Sequence, residues 1–442
     1  MEIKKSKYKK YFSNFSWLLV IKVYRILITL FITIWMARYL GPEQFGLYNY
    51  ALSLVVIFAV FSSLGLEHIF TKELLNKPNE ESELFGSSFI LKLLGSIILL
   101  ILVIITILVF KPNNDTLLYM VTLFSISYLF RTLEIIRFWF EAHIQAKNST
   151  VIEAIAISFS TLLKVLMIIN EVVVEIFAWT VLSEAIFLVI GLVLIYKQAK
   201  QNIYLWKPSL GKMKYLLKEA WPLILAGALY TVYTKVDQIM LGEIVGNESV
   251  GLYVAAVNIS QGWLFIPIII GTAFYPVMIN SKKNDEEKYY QITQHLLNIL
   301  ALLGIVIATI TIFLSEPFIL FAFGESYIKS SNVLILHIWG GVFVAMSAIS
   351  YRYFITEGLQ KTSFYRGLVG LVVNIGLNFV LIPRYGAIGA AYATVISLAA
   401  SLYIFNITNH KTRRMFFMQT RALFLIDIIK TLKYLKILRD SR

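Results

Sequence analysis

The chain has 442 residues, of which 58% are hydrophobic and only 15% charged, with no cysteine and a net charge of +14. A soluble domain carries about 45–50% apolar and about 25% charged residues. A soluble globular enzyme is therefore all but excluded, and the wealth of Ile, Leu, Val and Phe excludes a disordered chain. Without cysteine there is no disulfide, thiolate metal site or cysteine nucleophile. In a membrane protein an excess of Lys and Arg marks cytoplasmic loops rather than nucleic-acid binding.

Residues 1–10 are basic, with Lys4, Lys5, Lys7, Lys9 and Lys10. The apolar run behind them is too long for a signal-peptide core and has no small-residue cleavage site, so it reads as a first spanning helix entered from the cytoplasm. A span needs about 20 apolar residues. On that basis spans are predicted at 11–37, 46–67, 86–110, 116–138, 149–170 and 174–196. A basic stretch follows at 197–218, and six more spans at 219–242, 250–277, 291–314, 331–353, 363–382 and 386–407. In the tail, 408–442, the apolar residues Phe424, Leu425, Ile428, Ile429, Leu432 and Leu435 make a helical stripe beside Arg421, Lys430, Lys433 and Arg439. That pattern suits an amphipathic helix on an anionic inner leaflet, the alternative being a poorly ordered basic tail. Counting 72–92, 131–147 and 352–366 with the inner loops, so that Lys92, Arg131, Arg137, Arg352 and Arg366 near span ends fall there, 32 of the 40 Lys and Arg residues lie on the side of the N-terminus, 4 on the opposite side and 4 (Lys22, Arg25, Lys164 and Lys235) inside spans. Positive charge collects on the cytoplasmic side, so both termini are expected there. The expected organisation is a basic N-terminus (1–10), six spans (11–196), a cytoplasmic linker (197–218), six spans (219–407) and the tail. Every outer loop is short, which leaves no room for a catalytic domain on the far side.

An internal repeat supports the division. Gly41-Pro-Glu-Gln-Phe-Gly-Leu-Tyr48 recurs as Gly246-Asn-Glu-Ser-Val-Gly-Leu-Tyr253, offset by 205 residues and with five of eight positions identical. Each copy lies between the first and second span of its half. With six spans per half, both halves enter the membrane in the same sense, the pattern of a parallel repeat.

The residues Ala37-Arg-Tyr-Leu-Gly-Pro-Glu-Gln-Phe-Gly-Leu-Tyr-Asn-Tyr-Ala-Leu-Ser-Leu54, with Leu64-Gly-Leu66 downstream, resemble the N-terminal signature of polysaccharide-biosynthesis flippases. These are Wzx-type O-antigen and exopolysaccharide exporters of the multidrug/oligosaccharidyl-lipid/polysaccharide superfamily. Asp237-Gln-Ile-Met-Leu-Gly242 with Val250-Gly-Leu-Tyr-Val-Ala-Ala256 resembles their second-half signature. Asn374 to Asn378, Leu381-Ile-Pro-Arg-Tyr-Gly-Ala-Ile-Gly-Ala-Ala391 and Ala393-Thr394 resemble their last helix pair. The likeness runs over about residues 10–407. In the first half, Asn170-Glu-Val-Val-Val-Glu175 departs from the glycine-rich pattern. The resemblance implies an all-α integral membrane protein of twelve spans, in two six-helix lobes around a central cavity that opens alternately to each side. It implies a bacterial cytoplasmic membrane location. The cargo would be a polyprenyl-diphosphate-linked oligosaccharide, moved from inner to outer leaflet, with a polysaccharide polymerase and chain-length proteins as further partners. No cofactor is called for.

Several charges inside spans could serve such a carrier. Lys22 and Arg25 are three apart near the middle of the first span and share a helix face. A charge at the bilayer centre costs about 2.5–3.5 kcal/mol, so a partner or a function is expected. The functional reading is a cationic lining for diphosphate, which Arg grips as a fork and Lys as a point charge; the alternative is snorkelling or pairing with acids elsewhere. Lys235, in the seventh span, is a further candidate lining residue. Asp237, two residues on and about 200° around the helix, is read as a packing or gating residue. Offset 205 maps Arg25 onto Tyr230 and Lys22 onto Gly227, so the halves are chemically unequal. Lys164 reads equally as lining or as a snorkelling residue. Glu153 and Glu184 are candidates for ion coupling, or partners in salt bridges. None of His68, His143, His295, His337 and His410 has metal-ligand spacing, and Asp285-Glu286-Glu287 reads as a solvated acidic loop. No Walker A sequence is present, so an ion gradient is the expected energy source. A drug antiporter of the same superfamily is the competing transporter. A cationic drug favours an acidic cavity, whereas the excess inside these spans is basic. A membrane-embedded polysaccharide polymerase is the competing enzyme, and the short outer loops oppose it.

Overall fold

The computed structural model describes residues 2–431 and 433, with side chains described from Val20 onward apart from Lys22 and His68. Among these residues every regular element is a helix. In chain order they are α1 (Glu2–Phe58), α2 (Val60–Ser63), α3 (Leu66–Asn76), α4 (Glu81–Phe110), α5 (Asp115–Phe130), α6 (Ile135–Ala142), α7 (Ala146–Ile169) and α8 (Ala178–Gln198). There follow α9 (Leu210–Ile244), α10 (Asn247–Gln261), α11 (Phe265–Asn284), α12 (Glu286–Phe323), α13 (Ser330–His337), α14 (Gly340–Thr356), α15 (Gln360–Leu402) and α16 (Arg413–Leu423).

Nine helical stretches among the described residues are long and apolar enough to cross a membrane. This makes the chain an integral membrane protein. Large side chains such as Phe110, Phe313 and Phe321 stand exposed along these helices, as lipid contact allows. Two of the stretches each overlap two expected spans, Val23–Phe58 in part and Gln360–Ile407 in full. Both contain a residue with non-helical backbone, Gly41 (φ 72, ψ 170) and Gly386 (φ 56, ψ −132). Helix α9 contains the expected span 219–242 and is not one of the nine, because Thr231, Thr234, Lys235, Asp237 and Gln238 dilute its hydropathy. Side-chain caps mark some helix ends: Asn114 accepts from the Leu117 amide at 2.9 Å, and Asp285 from the Lys288 amide at 2.9 Å. Asp285-Glu286-Glu287 is thus the start of α12 rather than a loop, with acids at the end where the helix dipole favours them.

The chain divides into two compact units, one of Met1–Leu40 and Leu47–Lys235, the other of Gly41–Gly46 and Val236–Arg442. The first unit has an aromatic core in which Phe70, Phe85, Phe138, Trp139, Phe140 and Tyr196 are buried. The stretch 197–218, expected as a linker, is docked onto this core. Trp206 stacks on Phe85 with ring centroids 4.9 Å apart, the Lys207 amide donates to the Ser82 carbonyl at 3.1 Å, and the Ser209 amide to Ser87 Oγ at 3.0 Å. Lys212 Nζ sits 2.7 Å from Glu80 and 3.3 Å from Glu73, and Tyr215 donates to Glu73 at 2.9 Å. Burial works against the charge on Glu73, but the Tyr215 and Lys212 bonds outweigh it and hold its carboxyl below the usual range. Burial likewise opposes the Lys212 charge, and its bonds to Glu80 and Glu73 raise it above the usual lysine value.

The second unit is centred on Met278, Tyr289, Leu297, Met346, Tyr353, Met415 and Met418. Through Met415, Met418 and Ala422 helix α16 is part of this core. It ends at Leu423, where a turn with Leu425 at φ +55 interrupts the expected stripe. Phe424, Ile426 and Ile429 are exposed, and Leu432 and Leu435 lie outside the described residues.

The repeat has a structural counterpart inside this second unit. Gly41 and Gly246, the first residues of the two copies, have φ, ψ of 72, 170 and 118, 174. That region is essentially closed to other residues. The sixth positions make reciprocal close approaches: a Cβ on Gly46 would overlap the Asn247 carbonyl, and one on Gly251 the Pro42 carbonyl. Residue 42 is to 247 as 46 is to 251, so the two turns meet as equals.

Candidate functional site

In the first unit, charges collect where short 3-10 and α segments interrupt the long helices. Arg137, on α6, is the hub. Its Nη1 lies 3.1 Å from Glu153 on α7, its Nε 3.4 Å from Glu141, and its Nη2 3.6 Å from Glu67 on α3. Arg131 lies 2.9 Å from Glu134 and 3.5 Å from Glu184 on α8. Arg25 reaches the free oxygen of Glu153 at 3.8 Å; its side chain is 55% exposed and that of Glu153 17%. The neighbouring Tyr24 shares a 2.6 Å hydrogen bond with Ser158, also on α7.

Lys164 lies eleven residues beyond Glu153 on α7. Eleven residues are three turns, so the two share a face about 16 Å apart. Lys164 and Lys235 are each half-buried, and neither is within 4 Å of a carboxylate among the described residues. The Lys22 side chain lies outside the described residues. Lys92, counted from sequence with an inner loop, is buried in the third turn of α4.

The second unit handles buried charge differently. Asp237, on α9, is 5% exposed and pairs with no Lys or Arg among the described residues. Its Oδ2 accepts from the hydroxyls of Tyr253 and Thr394, both at 2.6 Å, and its Oδ1 from Asn378 Nδ2 at 2.6 Å. Asn378 also donates to Asn374 Oδ1 at 3.2 Å. Asn374 Nδ2 and Asn378 Oδ1 are buried without a partner, so this cluster holds hydrogen-bonding capacity in reserve. Arg366, on α15 and 4% exposed, has no carboxylate partner among the described residues either. It donates from Nε to the Ser401 carbonyl at 3.1 Å, from Nη2 to that of Leu402 at 2.9 Å and from Nη1 to Ser350 Oγ at 3.2 Å. Ser401 and Leu402 end α15, where the helix dipole is negative and favours a cation.

Sequence reading thus located Arg25, Glu153, Glu184 and Asp237 but not their partners. Arg131, Arg137 and Arg366 were assigned to loops. Tyr253, Asn374, Asn378 and Thr394 stood in the signature segments with no chemical role. The spacing of Asn374 and Asn378, one helical turn apart, was the one signal that both could serve a single point.

Charges are thus gathered into ion pairs around Arg137 and Arg131 in one unit, and in the other Asp237 is held in a cage of neutral side chains. Residues 12–282, more than half of the chain, match the family described as Polysaccharide biosynthesis protein, and the chain belongs to that family. Residues 222–380 also match the MatE family. The capsular polysaccharide biosynthesis protein CapF of Staphylococcus aureus is 25% identical over 88% of this chain and 96% of its own length. The fold is similar to that of the lipid II flippase MurJ in an inward closed conformation, with TM-score 0.66, 17% identity and coverage of 93% of this chain and 91% of that one. It is equally similar to an inward-facing multidrug resistance MATE family transporter of the MOP superfamily, with TM-score 0.68, 15% identity and coverage of 90% and 96%. At these identities the two structures bear on the fold. The chain is thus a membrane protein of the polysaccharide-biosynthesis family with the fold of these transporters, a transporter rather than an enzyme.

Proposed function

We propose that this protein flips a polyprenyl-diphosphate-linked oligosaccharide, the repeat unit of an O-antigen or similar surface polysaccharide, from the inner to the outer leaflet of a bacterial cytoplasmic membrane. Twelve spans in two six-helix lobes would alternate in access, with both termini in the cytoplasm. The nine apolar stretches supply this number if Val23–Phe58 and Gln360–Ile407 each count as two, at Gly41 and Gly386, and α9 as one more. The observation that carries the reading is Arg25. A half-exposed guanidinium inside a span, held by one ion pair of 3.8 Å, retains free donors for a diphosphate, which it can grip bidentately. Lys164 and Lys235 add cations without carboxylate partners, suited to an anionic cargo.

Ion coupling is assigned to Asp237. Glu153 and Glu184 are engaged by arginines, whereas Asp237 has only neutral partners that can reorient around a bound cation. The family match at 222–380 favours a second reading, efflux of a small molecule by a multidrug antiporter. Reconstitution separates the two. Proteoliposomes should translocate a lipid-linked oligosaccharide while an ion gradient stands and not accumulate a cationic dye. Asp237→Asn should abolish the gradient dependence, and Arg25→Ala the transport, with Arg25→Lys recovering part. Dye uptake without lipid flipping would overturn the proposal.

A further inference from the structure

We infer that Glu153 is the internal competitor for the anion site: it occupies Arg25 in the empty carrier and reclaims it to expel the cargo headgroup. The inference rests on the flippase reading above and names a residue that sets its affinity and turnover. Its two carboxylate oxygens are used unequally. Oε1 takes Arg137 at 3.1 Å, with hydrogen-bond geometry, and Oε2 takes Arg25 at 3.8 Å. Arg137 is further engaged by Glu141 and Glu67, so it anchors Glu153 and does not depend on it. Arg25 has Glu153 as its one carboxylate among the described residues.

The arrangement is therefore a carboxylate tethered at one oxygen and shared loosely at the other. A diphosphate arriving at Arg25 displaces only the loose half. Glu153 stays within reach on Arg137, and no buried charge is stranded, which is what makes breaking an ion pair costly. When the headgroup leaves, the same oxygen returns. An exposed pair is worth at most about 1 kcal/mol, so the competition is weak enough to lose to a multiply charged ligand. A carrier without it would bind its cargo better and release it more slowly.

The test measures binding and turnover on the full chain in nanodiscs and proteoliposomes. Glu153→Gln should bind a short-chain isoprenyl diphosphate about fivefold tighter, the factor that corresponds to such a pair. The same variant should lower both apparent KM and kcat for flipping a lipid-linked oligosaccharide. Glu153→Asp, too short to span both arginines, should behave likewise and guards against misfolding of the amide. In an Arg25→Ala background Glu153→Gln should change nothing. The inference is overturned if Glu153→Gln and Glu153→Asp leave affinity and kcat at wild-type values, or if tightening persists without Arg25. If Arg25→Ala itself binds the isoprenyl diphosphate as well as wild type does, the failure lies in the flippase reading's anion site instead.

Discussion

The Arg137 and Arg131 network of the first unit and the Asp237 and Arg366 sites of the second hold charge by different means. The first balances charge against charge: Arg137 faces three carboxylates and Arg131 two. The second has ion pairs as well, such as Lys282 with Glu357 at 3.0 Å, but at its two most buried charges it uses neutral groups, giving Asp237 hydroxyls and an amide, and Arg366 the carbonyls at a helix end. The lesson is about exchange. Ion pairs with spare partners can be swapped one for another at little cost, as the proposed anionic cargo would require. Asp237, by contrast, is held by hydrogen bonds from Tyr253, Thr394 and Asn378.

The comparison breaks most visibly at its two arginines. Arg137→Met leaves Glu67, Glu141 and Glu153 facing one another, and should cost about 3 kcal/mol, the lower end for stranding buried charge, because Glu67 and Glu141 are about half exposed and screened by solvent. Arg366→Met leaves only neutral acceptors, and Leu402 keeps the Asn406 and Gln419 amides, so about 1.5–3 kcal/mol is expected. Thermal melts in nanodiscs should rank them in that order. Equal losses would erase the distinction between the two sites.

Next in size is the reciprocal contact of the two repeat turns. Gly46→Ala and Gly251→Ala each force a methyl onto a backbone carbonyl, at about 3 kcal/mol, the upper end for overpacking. If the turns are equivalent, both variants should lose the same yield of folded, membrane-inserted protein; unequal losses would show that one copy bears the packing.

The smallest effect belongs to the docked stretch 197–218. Lys212→Ala should cost about 1–3 kcal/mol, softened because Lys77 stays 3.7 Å from Glu73. Limited proteolysis should then cut near Trp206, and Trp206 fluorescence should report loosening. Glu73 has a depressed folded pKa. Its contribution is therefore present above the ordinary Glu value and lost as pH falls through the lower folded one. For Lys212 the sign reverses: the contribution is present below the ordinary lysine value and lost as pH rises through the higher folded one. Docking that stays equally tight far below the ordinary Glu value and far above the ordinary lysine value would rule out these ion pairs as the anchor.

Much of the fold was legible because lipid allows so few solutions. Every backbone group must be satisfied within a span, so apolar runs such as 86–110 and 149–170 announced helices unaided. The eight-residue repeat was equally legible, since a turn that needs glycine at φ 72 or 118 admits no other residue. Sequence also picked out Arg25, Glu153, Glu184 and Asp237, because an ionisable residue inside an apolar run is conspicuous. What each one faces was decided by the tertiary structure alone. Glu153 meets Arg25 across 128 positions, and Asp237 meets Thr394 across 157. No local pattern encodes such distances. Charge counting assigned Arg131, Arg137 and Arg366 to cytoplasmic loops because they lie near span ends, where a cation ordinarily snorkels to water. Packing turned them inward, onto carboxylates in one unit and helix-end carbonyls in the other, and there the energy of a charge depends on neighbours that only the fold supplies.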